Sequence, residues 1–188
     1  MDVRPILLSF QTAIIAILFT FVLGTGVAYI VFRLKNRKLK ILLNSLFTLP
    51  LVLPPTVFGF FLLTIFGVQQ PVGRFLLDFF AIQVVFSWPA TVIAAVAVSF
   101  PLMYRSALTA FEQMDSELLA VAQTLGFSES RYFRKIALPL SMNGLLAGGV
   151  LAFARGLGEF GATTMLAGNI AGKTRTLPLA IYSVGIGV

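Results

Sequence analysis

The sequence predicts an all-α membrane protein with four complete spans, and three observations carry that prediction. The 188 residues are 58% hydrophobic and only 11% charged, with a mean hydropathy of +0.95. That is more apolar surface than a water-soluble domain can bury. Four apolar runs of about bilayer length are separated by polar or basic segments. The cations gather in short clusters between those runs, as topology signals do, and not in the continuous basic face of a nucleic-acid footprint. Lys and Arg number 14 against 7 Asp and Glu, a net charge of +7. The chain has no cysteine and no histidine, which excludes disulfides, cysteine metal sites and histidine acid–base chemistry. No metal site is expected.

The first span is predicted over residues 6–32. It is too long for a secretory leader, and it ends in the cations Arg33, Lys35, Arg37, Lys38 and Lys40 instead of a small-residue cleavage site. The second, over 41–67, holds Pro50, Pro54 and Pro55 in LPLVLPPTVFGF. Proline removes a donor and clashes with the preceding turn, so this helix should kink or break near its middle. The kink is either a packing feature or the bend of a helix that lines a pathway. Residues 68–82 read as an external loop with a short interfacial helix.

The third span is expected over 83–104, with Trp88 and Tyr104 at opposite ends as an aromatic belt and Arg105 at the inner boundary. The fourth, over 139–157, is rich in small residues. Gly144 and Gly148 stand at the spacing that permits close helix contact. Residues 158–188 are glycine-rich and read as an extended external loop, whose last part, from Leu177, is too short to span. The fragment is thus expected to stop before a further span. Nine cations on one side (the first cluster with Arg105, Arg131, Arg134 and Lys135) oppose four on the other (Arg4, Arg74, Lys173 and Arg175). This places the 106–138 loop in the cytoplasm and the N-terminus outside.

The longest polar interruption is DSELLAVAQTLGFSESRYFRKIALP, from Asp115 to Pro139. Leu118, Leu119, Ala122 and Leu125 fall on one apolar helical face. Asp115 or Ser116 can cap the start, with Glu117 in the first turn, and Gly126 can close the end in a left-handed conformation. Ser128 can cap a second helix, with Glu129 near its positive end and Arg134 and Lys135 near its negative end. The segment reads as a helix–turn–helix outside the membrane, a handle by which another protein moves it.

At the end of the fourth span, Arg155 and Glu159 stand one helical turn apart and can pair if the helix continues that far. A charge there is a functional candidate, against the alternative of an ion pair at the outer interface that orients the helix. Asn169, Lys173 and Arg175 form a polar external stretch that either meets a soluble partner or is an ordinary loop. Thr56 and Ser99 are pathway candidates by side-chain type, with Pro54 and Pro55 at the bend. An intramembrane enzyme would need a nucleophile with a base, paired aspartates or metal ligands. A secondary transporter would show a repeat and ion-coupling carboxylates at mid-membrane. Neither set is visible.

The cytoplasmic loop resembles the signature of ABC importer permeases, Glu-Ala-Ala, three residues, Gly, nine residues, Ile, one residue, Leu-Pro. Gly126, Ile136, Leu138 and Pro139 match at the right spacing. Ala120, Val121 and Ala122 occupy the first three positions, so the signature Glu is absent, and the nearest carboxylates are Glu117 and Asp115. LPLVLPPTVFGF, FSWPATVIAAVAVSFPLMYR, LAFARGLGEFGATTMLAGNI and KTRTLPLAIY resemble the molybdate branch of that family more than the sulfate branch. The resemblance implies a type I importer transmembrane domain in the cytoplasmic membrane, with its last span missing here. It also implies a homodimer, two ATPase subunits that carry ATP and Mg, and an external or lipid-anchored molybdate-binding protein. It implies no cofactor on the chain itself. The docking residues would be Asp115, Glu117, Leu118, Ala122, Leu125, Gly126, Ile136 and Pro139. The alternatives are a sulfate or thiosulfate permease and, from another class, an ion-coupled transporter.

Overall fold

A computed structural model describes residues 3–115 and 117–186, so Ser116, one of the two candidate caps, lies outside the described residues. The fold is all-α and is built around one central helix, α5 (Trp88–Glu112). The first helix, α1 (Arg4–Arg33), lies alongside it. Thr12 and Thr91 hydroxyls meet at 3.0 Å and Thr20 and Ser99 at 3.1 Å, with the same offset of 79 residues, so the two helices run parallel. Gly24 makes the seam tight: a Cβ there would stand 2.7 Å from Met103 Cγ.

Two parallel spans require a return crossing between them. It is made by α2 (Arg37–Val52) and α3 (Pro55–Phe66). Lys40 pairs with Glu112 at 2.7 Å at the inner end of α5, Phe47 packs on Phe100 and Tyr104, and Leu62 joins Ala90 at the outer end. The second span is therefore two helices bent by 114°, not one kinked helix. The cause is local. Leu53 and Pro54 each precede a proline, which drives both out of the helical region, and their ψ values are 139° and 135°. Pro50 is accommodated within α2.

The interfacial helix expected in 68–82 is α4 (Pro71–Phe80), with Phe75, Phe79 and Phe80 exposed. The third span differs at both ends from its prediction. It starts at Trp88, where Pro89 suits the first turn. It continues to Glu112 because Tyr104, Ala107, Leu108 and Phe111 are buried at helical spacing. Residues 106–112 are thus helix and not loop.

After α6 (Glu117–Thr124) and α7 (Glu129–Tyr132), a π-turn over Phe133–Ala137 leads through α8 (Leu138–Leu140) into α9 (Met142–Leu157). The π-turn carries the Leu138 N–H to the Phe133 carbonyl, one residue further back than in an α-helix. The α7–α8 path meets α9 at a 73° bend. Helix α9 lies flush on α5. A Cβ on Gly144 would come within 2.6 Å of Ala110 Cβ, and one on Gly148 within 2.5 Å of Ser106 Cβ, so the glycine spacing read from sequence is a true contact seam.

The largest correction concerns 158–188. The chain breaks at 158–160 and resumes as α10 (Gly161–Ala167), whose Ala162 packs with Ala94 and Val98 and whose Leu166 and Ala167 pack with Ala90. Helix α10 therefore completes the fourth crossing within the core. The loop is confined to 168–176. The last helix, α11 (Leu177–Gly185), turns back inward: the Leu177 N–H donates to Ser9 Oγ at 2.6 Å, and Tyr182 meets the Phe160 ring at 5.1 Å. Glycine content suggested a loop. Here it serves close approach, since a Cβ on Gly59 would stand 2.6 Å from Ala162 Cα and one on Gly161 2.8 Å from Pro55 Cβ.

Candidate functional site

The handle over 115–139 is built as its sequence specifies. Asp115 Oδ1 accepts the Glu117 N–H at 2.9 Å. Gly126 has φ +73°. Its N–H reaches the Gln123 carbonyl and the Phe127 N–H reaches the Ala122 carbonyl, both at 3.0 Å, the paired bonds of a Schellman closure. Ser128 Oγ accepts the Arg131 N–H at 3.4 Å.

The single apolar face read from sequence is in fact two. Ala122 is buried, and Leu118 and Leu119 are half-buried, against the cluster around Phe111 and Tyr132. Leu125 points away with 70% of its surface exposed, together with Val121 at 54%. Leu118 and Ala122 thus anchor the helix to its own subunit, and Val121 and Leu125 form its free apolar face. Sequence reasoning missed Val121, although its spacing of four from Leu125 was a readable signal. Glu117, Gly126 and Pro139 are exposed and Ile136 is half-buried in the same loop.

This loop is tied to the inner end of α1. Arg33 Nε donates to Glu129 Oε1 at 2.5 Å, and the Tyr29 ring lies 4.4 Å from that of Phe133. The hydrogen bond from Arg33 holds the Glu129 carboxyl below the ordinary carboxylate range and raises Arg33 in turn. A carboxyl whose pKa is depressed on folding contributes stability above its unfolded value and loses it as pH falls through the folded value. The side chains are 26% and 57% exposed, so the pair is worth less than about 1 kcal/mol. Amide exchange over 128–135, corrected for intrinsic rates, should therefore quicken modestly as the pH is lowered through the carboxylate range. Glu129→Gln should be quick throughout. An unchanged pH response in that variant would remove the pair from the account.

At the other end of the fourth crossing, Arg155 Nη1 donates to Glu159 Oε2 at 2.6 Å, and the Ala162 N–H donates to Oε1 at 2.7 Å. Both carboxylate oxygens are engaged, and the Glu159 side chain is 2% exposed against 30% for Arg155. Gly156 packs on Ala95 and Ser99, and Ala95 lies ~10 Å along α5 from Trp88 at ~1.5 Å per residue. The ion pair therefore sits within the helix bundle, about two turns of α5 from Trp88. It spans the α9–α10 break and abuts the other break at Pro55, because Gly161 touches Pro55 and Thr56. Pro54, Pro55 and Thr56 are exposed and remain pathway candidates. Ser99 does not: it is buried, donates to the Ala95 carbonyl at 2.6 Å and meets Thr20, so it belongs to the α1–α5 seam.

In the 168–176 loop, Arg175 Nε donates to Asn169 Oδ1 at 2.8 Å, and Asn169 Nδ2 donates to Ser183 Oγ at 2.7 Å. These two candidates for partner contact fasten the 168–176 loop to α11, while Lys173 stands exposed. Among the described residues no cluster of three metal-ligating side chains occurs.

The all-α bundle has two breaks inside it and holds an apolar helix face free at one end. The family described as binding-protein-dependent transport system inner membrane component matches residues 20–186. The chain belongs to this family. It is thus a multi-pass inner-membrane permease component. The chain is 44% identical over 183 residues to the molybdenum transport system permease protein ModB of Haemophilus influenzae, an alignment covering 97% of this chain and 80% of that one. It is 45% identical over 181 residues to ModB of Escherichia coli (strain K12), covering 96% and 79%. To ModB of Azotobacter vinelandii it is 35% identical over 182 residues, covering 96% and 80%.

Proposed function

We propose that this chain is the membrane-spanning subunit of an ATP-driven importer that carries molybdate, and its close analogue tungstate, into the cytoplasm. The observation that carries the reading is 44–45% identity along nearly the whole chain to proteins named as molybdenum transport permeases. Two copies pair around the passage. Each presents Val121 and Leu125 to a groove on one of two ATPase subunits, an amphipathic helix in an apolar cleft. The chain performs no chemistry and holds no cofactor. ATP and Mg stay on the partner, whose closure on ATP moves the docked helices. The ties to α1 at Arg33–Glu129 and to α2 at Lys40–Glu112 pass that movement to the spans, which alternate between two states. The N-terminus lies outside, where a molybdate-binding protein delivers the anion near Lys173.

The dianion crosses a passage bordered by the α2–α3 and α9–α10 breaks, where irregular backbone is tolerated because protein or water surrounds it. A fixed, unpaired charge there would be costly and would trap the cargo. Glu159 neutralises Arg155 and removes that hazard.

Uptake of labelled molybdate by cells expressing the subunit with its ATPase and binding protein tests the proposal. ATP-dependent uptake suppressed by excess tungstate and not by sulfate is expected. Suppression by sulfate would move the substrate to the sulfate branch, and uptake driven by an ion gradient without ATP would overturn the ABC reading.

A further inference from the structure

Helix α5 is buried along much of its length, yet its inner end carries an exposed polar stripe. Arg105 and Thr109 are exposed, Ser106 is half-buried, and Gln113 follows just beyond the helix. With Gly144 and Ala147 of α9 they line a groove of about 450 Å³. Arg105 lies ~26 Å along α5 from Trp88 at ~1.5 Å per residue, close to the inner edge of a hydrocarbon core ~30 Å thick. The groove therefore opens at the cytoplasmic mouth of the bundle. It exists because Gly144 and Gly148 seat α9 directly on α5 and Ala147 offers only a methyl group as its wall.

Its chemistry is one-sided. No carboxylate lines it. Glu112 is engaged by Lys40, and Asp115, in the adjoining hollow, uses Oδ1 to cap α6. None of the ion pairs or side-chain hydrogen bonds among the described residues engages the Arg105 guanidinium, the Ser106 and Thr109 hydroxyls or the Gln113 amide. A planar guanidinium offers two parallel N–H donors to a tetrahedral oxyanion, and hydroxyl and amide donors can complete its shell. One positive charge facing a dianion beside water gives weak binding, which suits a place where cargo is let go.

We propose that the groove of Arg105, Ser106, Thr109 and Gln113 binds a tetrahedral oxyanion at the inner mouth, as the last station before release. The inference rests on the oxyanion-permease reading. The phosphate of a phospholipid headgroup has the same chemistry at the same depth, and the experiment separates the two sources.

The permease–ATPase complex, purified in a maltoside detergent without nucleotide or binding protein, is dialysed to equilibrium against labelled molybdate and, separately, labelled sulfate. Saturable binding to the wild type is expected. It should weaken at least about tenfold in Arg105→Gln, which loses the bidentate charge-assisted contact. A comparable loss is expected in Ala147→Leu, which narrows the groove without removing a donor. Elution of both variants as intact complexes guards against misfolding. Binding of sulfate but not molybdate, lost in the same variants, would keep the groove and overturn the molybdate reading. No saturable binding of either anion to the wild type, or equal binding in wild type and both variants, would overturn the groove. Repeating the dialysis in phosphatidylglycerol nanodiscs addresses the lipid: persistent anion binding supports the release site. Displacement of the anion by the lipid, with less co-purified phospholipid in Arg105→Gln, overturns it.

Discussion

Val121→Asp combined with Leu125→Asp is expected to detach the ATPase subunits from the permease while leaving the permease folded. The two side chains lie four residues apart, Val121 on α6 and Leu125 just past its end, and are 54% and 70% exposed, so their own subunit gains little from them. Docking in an apolar groove would bury them, at ~1.5–3 kcal/mol for each fully buried aliphatic side chain. A carboxylate at either place also adds the cost of drying a charge. Together they should weaken association more than a hundredfold, read as loss of the ATPase from the co-purified complex. Thermal unfolding of the permease alone should stay near wild type. Leu118→Asp provides the contrast. That residue packs against the Phe111–Tyr132 cluster, so its change should lower the unfolding temperature as well as docking. Gly126→Pro should also abolish docking, because proline is confined to φ near −65° while the site requires +73°. A double variant that retains wild-type amounts of ATPase would put the docking surface elsewhere.

That contrast marks where the sequence stops being informative. Residues with one conformational meaning were legible. Prolines 54 and 55 announced a kink or break, Gly126 a left-handed closure, Ser128 a cap, and Asp115 one of two candidate caps; the break, the closure and the bonds to Asp115 and Ser128 are in place. What was not legible is facing. In water, polarity gives a helix its phase. A membrane helix is apolar on both its lipid and its protein sides, so Ser99 carried no label to show that it points into the α1–α5 seam. The same ambiguity affected α6, where four aliphatic positions merged into one face although Leu125 is turned away from the others. Glycine misled in 158–168 for a related reason. It marks either a flexible loop or a place where backbones touch, and only the neighbour decides. At Gly161 the neighbour is Pro55, more than a hundred residues earlier in the chain. The partners of Arg33 and Lys40 were hidden by the same distance, because Glu129 and Glu112 reach them only once α5 has run beyond the span assigned to it.

The break at Glu159 shows what such placement demands of a side chain. Glu159→Ala would leave the Arg155 guanidinium unpaired within the bundle and the Ala162 N–H without its acceptor. Removing one partner of a buried ion pair costs ~3–5 kcal/mol. Because the Arg155 side chain is 30% exposed, about 2–3 kcal/mol is the reasonable expectation after discounting for solvent screening. This should appear as a clear fall in unfolding temperature or in the yield of folded permease. Glu159→Gln keeps an oxygen for Ala162 and should fall between that variant and wild type. Adding Arg155→Met to Glu159→Gln removes the stranded charge and should recover part of the loss, an interaction that a double-mutant cycle reads directly. Wild-type stability in Glu159→Ala would mean that the pair holds nothing. The double variant then divides structure from transport. If it folds and imports at the wild-type rate, the pair is only a strut across the α9–α10 break. If it folds and import is lost, the exposed third of Arg155 meets the anion itself, and Glu159 serves to keep that encounter brief.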